Sequence, residues 1–217
     1  MAATLAVGVM VLLLVALGAW IVIRHRRDEA ARAAFLAHQG WRYERTGQGF
    51  VVEGGETVPW TLTLVRSRGS NNSNATQTLW ETPAEPTTAV VLLGPKLPAM
   101  AMNIDMGGMM VQMALRMILG DDAKDLADAR EVTLGSAAFR ERFSVLASSD
   151  ELAASLVVPE IEAALLESAF TDAVVLRWRD RLQVRITHGA WDPDEIASLV
   201  SLGETVAERC GYGVSES

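Results

Sequence analysis

Apolar residues run without a charge from Ala2 to Ile23, broken only by Thr4, Gly8 and Gly18, and the basic stretch Arg24-His25-Arg26-Arg27 follows. As a helix, 22 residues reach about 33 Å, enough for a hydrocarbon core of about 30 Å. An alanine-rich helical pattern continues from Asp28 to Gln39, and Gly40 is placed to end it. The periodicity then switches to two. Trp41 to Arg45, Phe50 to Glu53, Pro59 to Val65, Thr76 to Glu81 and Ala89 to Leu93 read as five short strands, separated by glycines, prolines and the polar loop Ser67 to Asn74. They form an antiparallel meander. A further strand is expected over Phe139 to Ala147, with Asp121 to Arg130 ahead of it as a charged loop or short helix.

The C-terminal third alternates helix and strand. Ser148 with Glu151 makes a capping box, and Pro159 opens a second helical segment. Val174 to Trp178 and Leu182 to Thr187 read as a hairpin turning at Arg179-Asp180-Arg181. The last helix has Asp192 as its cap and Pro193 at its first position. Ile196, Leu199, Val200, Gly203, Val206, Ala207 and Cys210 share one face, and Gly211 closes it. The expected fold class is α+β: an N-terminal transmembrane helix, then an antiparallel-sheet domain with packed helices and a C-terminal amphipathic helix. The expected organisation is an anchor over 1–27, a juxtamembrane helix over 28–40 and one domain over 41–217, carrying a Met-rich insertion at 99–120.

Charge sets the expected location. The three arginines of the stop follow the apolar run, and no basic residue precedes it. A cleaved signal peptide has the reverse order and a shorter apolar core. The positive-inside rule directs the downstream domain to the cytoplasm, with the N-terminus outside. The single cysteine, Cys210, suits a reducing compartment and excludes an intrachain disulfide. On a cytoplasmic domain, the sequons at Asn71 and Asn74 serve as turns. Of 217 residues, 19 are basic and 27 acidic. Without residues 1–27 the balance is 16 basic against 27 acidic, a net of -11. Such a body does not bind nucleic acid through phosphate neutralisation.

Two features remain as candidate chemistry. Seven of nine methionines fall between Met100 and Met117, and on a helix Met106, Met109, Met110, Met113 and Met117 share one face. Adaptable thioethers suit a core or dimer helix, a partner-binding or interfacial element, or a Cu(I) site. No cysteine or histidine accompanies them, and cytoplasmic thiols compete for Cu(I). The second feature is arginine density in the expected hairpin. There Arg177, Arg179 and Arg185 form a docking face for an acidic partner or a lipid headgroup. Cys210 reads as a small core residue, and His25 and His38 as solvated. No catalytic, nucleotide-binding or metal motif occurs, so no catalytic, cofactor or metal residue is assigned.

The order of elements from residue 35 to 210 resembles a group of uncharacterised bacterial membrane-anchored proteins. The residues that carry the resemblance are Glu53-Gly54-Gly55 with Trp60, the run Phe139-Arg-Glu-Arg-Phe143-Ser-Val145, and the following helix opened by Asp150. The Met-rich stretch has no counterpart in that group. The resemblance implies a single N-terminal span and a cytoplasmic α+β domain, and no activity. The expected function is a non-enzymatic interaction or scaffolding module at the inner face of the membrane, holding a protein partner or a second copy. Copper handling and an enzyme without a recognisable motif are the alternatives.

Overall fold

The computed structural model describes residues 2–47, 49–56, 58–68, 74–96 and 129–211, with side chains described from residue 16 onward and not over 65–68 or 74–75. The Met-rich expectation therefore lies outside the described residues. The chain divides into two compact units, Met1–Tyr43 and Glu44–Ser217.

The first unit is helix α1, Ala2–His38. Gly40, at φ 78°, leaves it in the left-handed conformation that glycine adopts without a Cβ penalty. Leu17, Trp20, Ile21, Val22 and Ile23 are each more than half exposed. The guanidinium of Arg24 lies 5.4 Å from the centre of the Trp20 ring. Among the described residues, no helix is long and apolar enough to cross a membrane.

The second unit is built on an antiparallel sheet. Its strands are β1 (Arg42–Thr46), β2 (Gly49–Gly54), β3 (Trp60–Arg68), β4 (Asn74–Pro95), β5 (Arg130–Val132), β6 (Phe143–Ala147) and β7 (Val174–Ile186). The spatial order is β1-β2-β3-β4-β6-β5, with β7 also paired to β4. Helices α2 (Ala137–Arg142), α3 (Asp150–Leu156), α4 (Pro159–Glu167) and α5 (Pro193–Arg209) complete it. The α+β class and the antiparallel sheet stand as expected.

Four local expectations are corrected. The two strands expected at 76–81 and 89–93 are one 22-residue strand, β4. Its length lets it pair β3 through Asn74–Glu81, β6 through Val91–Pro95 and β7 through Thr78–Leu93. The expected hairpin at 174–187 is likewise one strand, because β4 offers an edge along its whole length. The strand expected from Phe139 starts at Phe143. Ser136 caps the short helix α2 by accepting from the Phe139 amide at 3.2 Å, and this takes residues 137–142 out of the sheet. The cap of α3 is Ser149, which accepts from Leu152 N at 3.2 Å, one residue later than expected. Strand β5 had no sequence signal.

One sheet face holds the core. Trp60, Leu62, Leu64, Trp80, Val184 and Ile186 are buried there, at alternate positions of three neighbouring strands. Helix α5 packs on β4 and β7, burying Ile196, Leu199, Val200 and Val206. The opposite face differs between its two halves. Near β3 it is polar, with Thr61, Thr63, Glu81 and Arg185 partly exposed. Toward β6 it carries a separate apolar cluster of Val90, Leu92, Leu146, Val174 and Leu176, with Ala129 and Trp178 against it.

Candidate functional site

The β4–β7 ribbon positions the arginines. Its register is regular from Thr78↔Ile186 to Pro83↔Arg181, then shifts twice before resuming at Val90↔Trp178. Pro83 and Pro86 fall in this interval of β4, where a ladder tolerates residues without an N–H only at irregularities. On β7 the same interval is turned by Arg179, a non-glycine residue at φ 52°.

Arg177 fills the gap that the bulges open. Its side chain is 2 % exposed. Its guanidinium donates to the carbonyls of Arg179 at 2.9 Å and Arg181 at 3.3 Å, and to that of Glu85 across the ribbon. Three carbonyls at the irregularity thus receive charged donors. This arginine is part of the fold, and its burial removes it from the docking face on which the sequence placed it. Arg179 is exposed at the turn, with its guanidinium 4.0 Å from the centre of the Trp178 ring.

Beyond the bulge, alternate residues of β7 form a polar ladder. Arg181 Nη1 lies 3.2 Å from Glu81 Oε2 and its Nε 3.8 Å from Asp180. Gln183 Nε2 donates to the same Glu81 oxygen at 3.0 Å. Gln183 Oε1 accepts from Arg185 Nε at 3.1 Å and Nη2 at 2.6 Å. Glu81 and Gln183 were not singled out from sequence. The signal was present: Gln183 and Arg185 alternate with Leu182, Val184 and Ile186. A shallow groove of about 250 Å³ lies beside Glu81, Asp180 and Arg181, bounded by Thr61, Thr82 and Pro83.

Three other places hold polar chemistry. Asp172 Oδ2 accepts from the Thr187 amide at 2.8 Å and hydroxyl at 2.5 Å, and lies 3.3 Å from His188 Nδ1. Burial alone pushes this carboxyl up, but the Thr187 bonds and the His188 contact outweigh it and hold the group below the ordinary aspartate value. The pair ties the entry of β7 to its exit. A cleft of about 630 Å³ between α4 and α5 is lined by small residues, Ala164, Ala197 and Ser201 among them, with Ser198 and Thr205 beside them. Cys210 sits behind the bulge; burial pushes its thiol up to about 12, against the opposing pull of Arg177. Among the described residues, no group of three His, Cys, Asp or Glu side chains gathers as a metal site would require. Met106, Met109, Met110, Met113 and Met117 lie outside the described residues.

No protein-family model matches this chain, and no curated protein matches it. Among solved structures, the crystal structure of the mycobacterial trehalose monomycolate transport factor A, TtfA, aligns with a TM-score of 0.44 at 11 % identity, over 82 % of this chain and 91 % of that one. A likeness at that level carries no argument about function.

Proposed function

We propose that this chain is a non-enzymatic interaction module, held by one N-terminal helix at the cytoplasmic face of a bacterial inner membrane. The observation that carries the reading is the apolar collar of α1. Leu17, Trp20, Ile21, Val22 and Ile23 occupy all sides of the helix and stand more than half exposed. A helix that is apolar all round belongs in a hydrophobic surround. The sequence upstream to Ala2 adds no charge, and the collar ends at Arg24 with Trp20 beside it. That order of aromatic belt and basic stop supports a span whose downstream end faces the cytoplasm.

The interaction role is supported by the chemistry of the second unit. Among the described residues, the polar side chains of the β4–β7 ribbon form ladders and staples that bond one another. Arg179, Arg181 and Arg185 give one sheet face a basic character within an acidic body. In this reading the Met-rich segment, with Met106, Met109, Met110, Met113 and Met117, is the second docking element.

Alkaline carbonate extraction and a C-terminal reporter test the anchor. The protein is expected to stay in the membrane pellet, with a reporter active only in the cytoplasm; release by carbonate or an outside-only signal would overturn the reading. Crosslinked affinity purification in mild detergent tests the module. A stoichiometric partner that is lost on deleting residues 100–117 is expected, and unchanged recovery would reject the Met-rich segment as its docking element.

A further inference from the structure

Helix α1 carries a stripe that changes from apolar to basic along its length. At about 3.6 residues per turn, Leu17, Trp20, Arg24 and Arg27 fall within about 80° of one another around the axis. From Leu17 to Arg27 the stripe runs about 15 Å. All four side chains are exposed, Leu17 at 53 % and Trp20 at 56 %. The Arg24 guanidinium lies 5.4 Å from the centre of the Trp20 ring. It reaches back to the aromatic ring although Asp28, at the margin of the stripe, stands one turn further on. Glu29, the next acid, falls on the far side of the helix from Trp20, and Arg26 falls about 120° from it.

We propose that this stripe binds one anionic phospholipid, its phosphate between Arg24 and Arg27 and its glycerol and upper acyl chain along Trp20 and Leu17. The inference deepens the anchor reading above and rests on it. Side chains three residues apart on a helix start about 5–6 Å from each other, so two guanidinium forks can close on one phosphate. Two neighbouring cations repel, and an anion between them turns that repulsion into attraction. Trp20 supplies an apolar body and a polar N–H at the level of the lipid esters. Its contact with Arg24 draws the charge to the border of the apolar collar. An acidic protein segment fits worse, because it would lay polar chain over Leu17 and Trp20. A phospholipid carries hydrocarbon, ester and charge in the same order as the stripe.

The test is native mass spectrometry of the full chain released from mixed micelles that contain equal amounts of phosphatidylcholine and phosphatidylglycerol. Retained phosphatidylglycerol is expected, in about tenfold preference to phosphatidylcholine. Each basic residue beside an anionic headgroup adds about fivefold. Arg24→Gln is therefore expected to cut the preference about fivefold. Arg26→Gln makes the same change of charge on another side of the helix and is expected to leave the preference within about twofold. Equal losses for the two variants would overturn the proposal, since the attraction would then belong to net charge alone. So would the absence of any preference, or displacement of the lipid by excess inorganic phosphate, which would assign the arginines to a free anion. Loss of a crosslinked protein partner in Arg24→Gln, with lipid retention unchanged, would assign the stripe to that protein and overturn it too. A chain that resists carbonate extraction yet shows no preference for phosphatidylglycerol loses the lipid site and keeps its anchor. Release by carbonate fails the anchor reading and the lipid site with it.

Discussion

Gly203 of α5 lies against the face of the buried Trp80 indole, so close that a Cβ on Gly203 would fall 2.3 Å from Trp80 Cδ2. The absent side chain is what lets α5 settle onto β4. Gly203→Ala is expected to force the helix off the ring and cost about 1–3 kcal/mol, as overpacking of a core does. Ser201→Ala, on the exposed side of the same helix, is expected to stay within about 0.5 kcal/mol. Thermal unfolding of both variants separates the two outcomes; equal melting temperatures would show that the contact relaxes freely.

Arg177 and Arg179 are neighbours on β7 with opposite roles. Arg177→Met strips the donors from three carbonyls at the bulge and is expected to cost on the order of 3 kcal/mol. Arg179→Met removes an exposed stacking contact with Trp178, worth about 0.5–1 kcal/mol. Urea midpoints of the two variants rank them. A smaller loss for Arg177→Met than for Arg179→Met would contradict the buried-staple role.

Asp172 makes stability depend on pH. Its folded value lies below its unfolded value of about 3.9, so its contribution is present above that pH and is lost as pH falls through the folded value. Asp172→Asn is therefore expected to be less stable than the parent at pH 7, and the gap is expected to narrow steadily below about pH 4. Denaturation curves from pH 7 to pH 3 give the test. A gap that stays constant with pH would mean that the carboxylate charge adds nothing.

Cys210 is expected to be inert while the protein is folded. With its thiol raised to about 12 by burial, almost no thiolate exists at pH 8. Reaction with Ellman's reagent is expected to be slow in buffer and complete within the dead time in denaturant. Fast reaction of the native protein would show the thiol accessible.

Periodicity reads well where burial is one-sided. Helix α5 lies where Asp192, Pro193 and the spacing from Ile196 to Ala207 place it, and Asp192 Oδ1 accepts from Asp194 N at 2.9 Å. The end of α1 at Gly40 was equally legible. What sequence does not carry is the partner of each strand. Pro83 and Pro86 look like breaks, yet β4 passes through them because two facing bulges and one guanidinium absorb the irregularity. For the same reason Arg179-Asp180-Arg181 looks like a turn. Arg177 looks like a surface charge because its acceptors are carbonyls, and Glu85, the one across the ribbon, is remote in the chain. Ser136 outcompetes the strand preference of Phe139 through a single cap. Arg130–Val132 is too short to show a period.

The continuity of β4 also governs how the polypeptide is made. Its first residues find hydrogen-bonding partners in β3 immediately upstream, its last in Phe143–Ala147, and most of its length only in Val174–Ile186. A ribosome that has synthesised only the first two thirds of the message has released a long strand with one side bare. Sheet closure must wait for nearly the whole chain, which slows folding through non-local pairing and exposes nascent protein to aggregation. Truncations ending before Val174 should therefore yield inclusion bodies, rather than a smaller folded domain.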